Sequence, residues 1–367
     1  MNTKDIEFGL DSFGEVSNES SGRLLSDAET VRLMIDEAVL AEAVGIDSYN
    51  IGEHYRPQHV DSAGHVILAA IAGRTERIRL GTSVTVLSTQ DPVRLYTEFA
   101  TLDAVSNGRA QLIVGRASST ESFPLFGFDL ADYETLFEEK LDLLTRLLRD
   151  QPVTWSGTVR PPLTDQHVHP AVAPGGIPTW VGVGGTPQSV IRAARYGLPL
   201  MLAIIGGRPT RFAPYVDLYK RALDQFGHSP LPVGMHSLGF VARTDEEARS
   251  AYWPQWNAVM DMASRERGFS PPSARQYEAE IAEGALFVGS PETVAAKIAA
   301  SIRALGLSRF DLKYDIGRLQ RELRAASIEL YGREVIPRVR ELLEEPTVQP
   351  VPSDQRVEAA KRAGSRD

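Results

Sequence analysis

Eight short apolar runs, each followed by a longer stretch with helical spacing, set the strongest constraint on how this chain folds. The runs are 6–10, 48–51, 78–86, 110–114, 179–183, 200–205, 233–241 and 310–314. They are rich in β-branched residues and short enough to be buried strands. Between them lie stretches such as 27–44, where Val31, Ile35, Ala38 and Ala41 make one apolar stripe ahead of Gly45. That is the pattern of an amphipathic helix with a glycine at its stop. Helices are expected likewise over 65–75, 92–105, 133–148, 187–196 and 211–226, with Pro92 and Pro187 in first-turn positions, where an amide proton is not needed. Strand–helix alternation of this kind builds a parallel sheet. Eight such units close more readily into a (β/α)8 TIM barrel than they spread into an open doubly wound sheet, so an α/β barrel is the expected fold.

The 367 residues, 43% of them hydrophobic, fit one large barrel core. A single domain is expected over 1–344, with insertions in the βα loops near 150–178, which carries His167 and His169, and near 252–283, which is aromatic and charged. Long βα insertions are where barrels build substrate sites. The stretch 345–367, with Pro346, Pro350, Pro352 and many charges, reads as a disordered tail. A net charge of -9 opposes a nucleic-acid partner, because phosphates are recruited by clustered Lys and Arg. The chain has no cysteine, which excludes disulfides, thiolate-bound metals and thiol nucleophiles, so redox chemistry needs a bound cofactor. The amino terminus lacks a long apolar stretch; no membrane partner and a cytoplasmic location are expected.

Three stretches at the ends of expected strands carry candidate chemistry. In Gly52-Glu53-His54-Tyr55-Arg56-Pro57, His54 offers an imidazole, a side chain suited to proton transfer; a loop histidine satisfied by a carbonyl is the structural alternative. Glu53 suits a hydrogen-bonding anchor for that loop. Arg116 follows the fourth run, and the small residues 117–119 come after it, so it can grip a phosphate in two-pronged fashion while amides approach the same anion. The alternative is an arginine paired with a carboxylate across the barrel mouth. Gly184, Gly185, Thr186 and Ser189 lead from the fifth run into a helix; free amides and hydroxyls there cradle a single phosphate. No further glycine stands near Pro187, so the dinucleotide fingerprint fails. Small residues over 81–87 would let a flat ring lie against the third strand, with simple interior packing as the alternative. A metal site is the remaining competitor, with His54, His65, His167 and His169 as its candidate ligands; no metal is expected, because the last two lie in a Pro-rich insertion.

In this order, Gly52 to Tyr55, Gly81 to Leu87 with Asp91-Pro92-Val93-Arg94, Gly108-Arg109 through Arg116, Gly184 to Ser189 with Tyr196-Gly197-Leu198-Pro199, and Val288-Gly289-Ser290-Pro291-Glu292 resemble the bacterial luciferase-like superfamily of flavin-dependent monooxygenases. The resemblance spans about 6–343. It implies a barrel holding FMN, with the isoalloxazine near Ser83 and Val84, a cis peptide between those two residues, and the phosphate near Arg116, Gly184, Gly185, Thr186 and Ser189. It implies that His54 is catalytic; Tyr55 stands where the family commonly has a second histidine. Reduced FMN from a separate flavin reductase would react with dioxygen to oxidise a small organic substrate, behind apolar walls from Phe13, Phe123, Phe126, Trp253 and Trp256. A homodimer formed through helices near the second and third units is implied as well. The alternatives are a deazaflavin-dependent, hydride-transferring oxidoreductase of the same fold, a non-catalytic flavin-storage protein, and a metal-dependent barrel hydrolase.

Overall fold

A computed structural model describes residues 3–116, 120–149, 151–173, 175–268 and 270–345. Its strands are β1 (Glu7–Ser12), β2 (Ser48–Ile51), β3 (Arg79–Thr82), β4 (Thr85–Val86), β5 (Leu112–Gly115), β6 (Val153–Trp155), β7 (Leu163–Gln166), β8 (Thr179–Val183), β9 (Leu200–Ala203), β10 (Val233–Val241), β11 (Phe287–Gly289) and β12 (Arg309–Lys313). The helices are α1 (Asp27–Ala43), α2 (Gly64–Ala72), α3 (Pro92–Ser106), α4 (Ser122–Phe126), α5 (Tyr133–Arg149), α6 (Pro187–Arg195), α7 (Ala213–Gln225), α8 (Asp245–Arg267), α9 (Ala274–Ala282), α10 (Pro291–Leu305), α11 (Arg321–Leu330) and α12 (Ile336–Glu344). Each of the eight expected runs contains or overlaps a strand.

The main sheet runs β3-β2-β1-β12-β10-β9-β8-β5-β4, and its ladders are parallel. β3 and β4 are two halves of one strand, interrupted at Ser83 and Val84, whose peptide is cis as the resemblance implied. The Leu80 amide donates to Arg109 O and the Gln111 amide to Leu80 O, both at 2.9 Å, while Thr85 and Val86 pair with Val114 and Gly115. The sheet therefore comes round nearly to a closed barrel. Helices pack outside it over one extensive apolar core. Local chemistry sets their ends: Ser26 and Glu29 form a reciprocal capping box on α1, and the Asp91 carboxylate accepts from the Val93 and Arg94 amides ahead of α3, each satisfying amides that a helix start leaves open.

The barrel interior is polar at its centre. Arg309, fully buried, donates to Asp311 and Gln111 at 2.9 Å and to Asn50 at 3.2 Å. A Cβ at Gly9 would come within 2.3 Å of Asp311, and one at Gly81 within 2.4 Å of Asn50, so glycine makes room for these side chains. A buried ion pair is tolerated when the remaining donors and acceptors are satisfied.

Two stretches expected as inserted loops hold regular structure. Within 150–178, β6 and β7 form an antiparallel hairpin, and Val153 and Trp155 are buried against Tyr96 and Leu143. The stretch 252–283 contains most of α8 and all of α9, whose Tyr252, Trp256, Tyr277 and Ile281 pack with Phe240 and Val288 in a satellite core. β11 pairs with the carboxyl half of β10. The expected tail lies outside the described residues beyond Glu345. Among the described residues, no helix is long and apolar enough to cross a membrane.

Candidate active site

The carboxyl ends of the strands surround a cleft of about 310 Å3 whose lining includes Phe13, His54, Ser83, Val84, Arg116 and His236. That volume is in the range of small-ligand sites. All the residues expected to meet the cofactor line it except Gly185, which forms the adjoining turn at φ 103°.

One corner gathers hydrogen-bond donors. Arg116 extends from the end of β5 and donates from Nη2 to Ser189 Oγ at 2.9 Å; Thr186 Oγ1 donates to the same hydroxyl oxygen at 2.8 Å. Nη1 of Arg116 meets the Glu134 carboxylate, and the guanidinium lies 5.2 Å from the centre of the Tyr133 ring. The carboxylate-paired alternative for Arg116 is thus realised through Glu134, while its other edge reaches Ser189, a residue expected beside the phosphate. Burial opposes ionisation of Glu134, but the hydrogen bond from Arg192 and the charge of Arg116 outweigh it and hold that carboxyl below its ordinary value. No side chain caps α6, so its first turn has no side-chain acceptor at the cap. A Cβ at Gly184 would meet nothing within 4 Å, so that backbone faces open space. Residues 117–119 lie outside the described residues.

Val84 reaches across the barrel mouth. A Cβ at Gly115 would stand 2.6 Å from its side chain, and one at Gly182 2.8 Å; the glycines of β5 and β8 admit this side chain, which then forms part of the cleft wall. Glu53 holds the neighbouring loop: its carboxylate accepts from the Val86 amide at 2.8 Å, Tyr55 OH at 2.7 Å and Gln90 Nε2 at 2.9 Å. This is the anchoring role its position suggested.

His54 is held by a residue the sequence reading did not single out. Asp61, fully buried, accepts from the His54 amide at 3.1 Å and lies 2.8 Å from its Nδ1. An acceptor there favours the neutral tautomer with its proton on Nδ1 and leaves Nε2 outside that pair. Gly52 permits the approach, because a Cβ there would stand 2.7 Å from Phe13 and 2.9 Å from Asp61. His59 stacks on His54 at 4.6 Å and bonds through Nδ1 to Phe13 O at 2.8 Å; burial, then the His54 charge, pushes it down to about 4. His54, His59 and Asp61 are close enough to hold a cation, but each is engaged in one of these hydrogen bonds. Among the described residues the other histidines weighed as ligands form no three-ligand cluster: His65 lies 3.8 Å from Glu98, and His167 stacks with His169 at 6.4 Å.

A second aspartate–histidine pair, also missed, lies deeper. His236 Nδ1 bonds to Asp11 Oδ2, which accepts as well from Ser83 Oγ at 2.7 Å. Phe13 stands between the two histidines, 4.7 Å from the His54 ring and 5.7 Å from that of His236. Of the expected apolar walls, Phe13 lines the cleft; Phe123 is buried and stacks on Tyr133, while Phe126 is exposed beside Tyr55. Trp253 and Trp256 require correction: they pack on Tyr277 in the satellite core, away from the cleft.

Comparison with known proteins places this geometry. The family model described as luciferase-like monooxygenase matches residues 12–309. The uncharacterised protein y4vJ of Sinorhizobium fredii is 25% identical over 338 residues, 87% of this chain and 94% of its own length. Monooxygenase RslO1 from Streptomyces bottropensis superposes with a TM-score of 0.78 at 24% identity, covering 90% of this chain and 99% of that one. The oxygenating constituent of 3,6-diketocamphane monooxygenase from Pseudomonas putida, solved with FMN, gives 0.70 at 22%, with 90% and 98% covered. The coenzyme F420 dependent tetrahydromethanopterin reductase of Methanopyrus kandleri gives 0.67 at 20%, with 90% and 99% covered. Identities at this level establish a shared fold.

Proposed function

Because the chain belongs to the luciferase-like monooxygenase family, we propose that it is a flavin-dependent monooxygenase in which reduced FMN and dioxygen oxidise a small organic substrate. Membership of the family makes the chain an oxidoreductase; the cofactor, the use of oxygen and the supply of reduced FMN by a separate reductase are the proposal. The observation that carries it is the anion corner beside the cleft. Arg116, Ser189, Thr186 and an uncapped α6 start gather donors on one point, which suits one terminal phosphate, and the adjoining Gly184 backbone opens onto space.

FMN bound there would supply the electrons that activate dioxygen. The rest is done by this chain. Arg116 and Ser189 would hold the phosphate, and Ser83 and Val84 would back the ring. Phe13, Val84 and Met201 would turn apolar surface to the reacting space and keep water out. His54, fixed by Asp61, would take or return a proton at Nε2. The homodimer implied by the resemblance stays part of the proposal. It is supported by Val66 on α2, 59% exposed, and Val105 on α3, 57% exposed, because two large apolar side chains on adjoining helices suit a partner surface.

The experiment is to titrate the purified protein with FMN and with a deazaflavin, then to mix the protein–reduced FMN complex with oxygen and candidate substrates. FMN binding, with oxygen consumed and an oxygenated product formed, is the expected result. Deazaflavin binding without FMN affinity would replace the cofactor assignment, and flavin binding without turnover of any acceptor would favour storage.

A further inference from the structure

The floor of the cleft carries an imidazole that the proposed function leaves without a task. His236 lies in β10 at the level of Ala203 in β9 and Asp311 in β12. It is 5% exposed, and it lines the cleft with Ser83 and Phe13. Its Nδ1 is bonded to Asp11, whose carboxylate also accepts from Asn50 Nδ2 at 2.8 Å and from Ser83 Oγ at 2.7 Å. An acceptor so placed keeps the proton of a neutral imidazole on Nδ1, and Nε2 is left with a lone pair. Among the described residues, no hydrogen-bond partner is present for that Nε2, and it is not a sealed atom. Phe13 stacks on the ring at 5.7 Å and 14°. The imidazole is therefore held by Asp11 through one nitrogen and by Phe13 across one face, with an acceptor left for the cleft.

Resting on the flavin reading above, we propose that His236 Nε2 accepts the hydrogen bond of the N3–H group of the isoalloxazine ring. An oxidised isoalloxazine presents several acceptors at its edge but one ring N–H, and a buried N–H left without an acceptor weakens binding. His236 supplies that acceptor beside Ser83, where the ring is expected to lie. His54 also has its Nδ1 held and its Nε2 available, but it stands nearer the rim, with its side chain 16% exposed against 6% for His236. The more exposed imidazole suits proton exchange during turnover; the deeper one suits a contact kept throughout. A deazaflavin carries the same N3–H, so the assignment does not depend on which of the two rings binds.

The test pairs a change in the ligand with a change in the residue. Oxidised FMN and its N3-methyl derivative are titrated against the wild type and His236→Ala. Methylation is expected to weaken binding to the wild type by about tenfold, the worth of one such bond, and to matter far less in the variant. A methylation penalty of equal size in both proteins would overturn the proposal. Because removing His236 takes away one of the hydrogen-bond partners of buried Asp11, the wild type labelled with 15N-histidine, seven residues in all, gives a second readout. FMN should move the His236 Nε2 resonance away from its unbonded position, and N3-methyl FMN should not. FMN that saturates the protein and leaves that resonance in place overturns this inference alone; a wild type that binds no flavin overturns the flavin reading and this inference with it.

Discussion

Each histidine facing the cleft has its Nδ1 held by a buried aspartate, and what differs is depth. For His54→Ala, near-normal FMN affinity is expected with turnover reduced by about 10²- to 10⁴-fold, the usual worth of a positioned proton carrier. Asp61→Asn should move turnover the same way, because an amide no longer dictates which nitrogen carries the proton. The check is kcat beside the FMN dissociation constant for each variant; unchanged kcat in His54→Ala would remove its catalytic role. His54 and Arg116 were legible in the sequence because each directly follows an apolar run. Asp11 and His236 were not, because their partnership joins residues 225 positions apart. A lone His between Met235 and Ser237 in a buried strand reads as core.

Between elements, Glu53 ties the loop after β2 to β4. Glu53→Ala would leave the Val86 amide without its acceptor at the barrel mouth, and a loss of about 1–3 kcal/mol is expected, read as a lower urea midpoint with an unchanged slope. A stability equal to wild type would mean that the loop is held elsewhere. Periodicity revealed α1, α3, α5 and α6 with ends within a residue or so. It failed for α8, where Pro254 lies inside the helix and the sequence rule takes proline as a break. The apolar face of Tyr252 and Trp256 was hidden by the charges around it. The β6–β7 hairpin was missed because β7 carries Thr164, Asp165 and Gln166 and is exposed, so it shows no apolar run, and β11 because it is only three residues long.

At the scale of the whole molecule, the fold ties stability to pH through groups beside the cleft. His59 takes its proton at about 4 when folded, against an ordinary 6.5, so the unfolded chain holds more protons between those values. Its contribution is therefore complete above about 6.5 and is lost as pH falls toward 4. Asp61, pushed up by burial, acts in the opposite sense. His59→Gln should flatten the fall in Tm between pH 6.5 and 4; an unchanged slope would assign that fall to other groups. Light scattering checks the proposed dimer: the wild type should show twice 40.2 kDa, and Val66→Asp combined with Val105→Asp should show the single mass. A monomeric wild type would remove it. The measurement closest to the central claim is an anaerobic titration of wild type and Arg116→Ala with reduced FMN and reduced riboflavin. Wild type should prefer FMN by about 10- to 100-fold, the worth of a charge-assisted phosphate contact, and Arg116→Ala should lose about tenfold or more of that preference. Equal affinity of the wild type for both flavins, or a preference that survives the substitution, would contradict the flavin-phosphate site at Arg116.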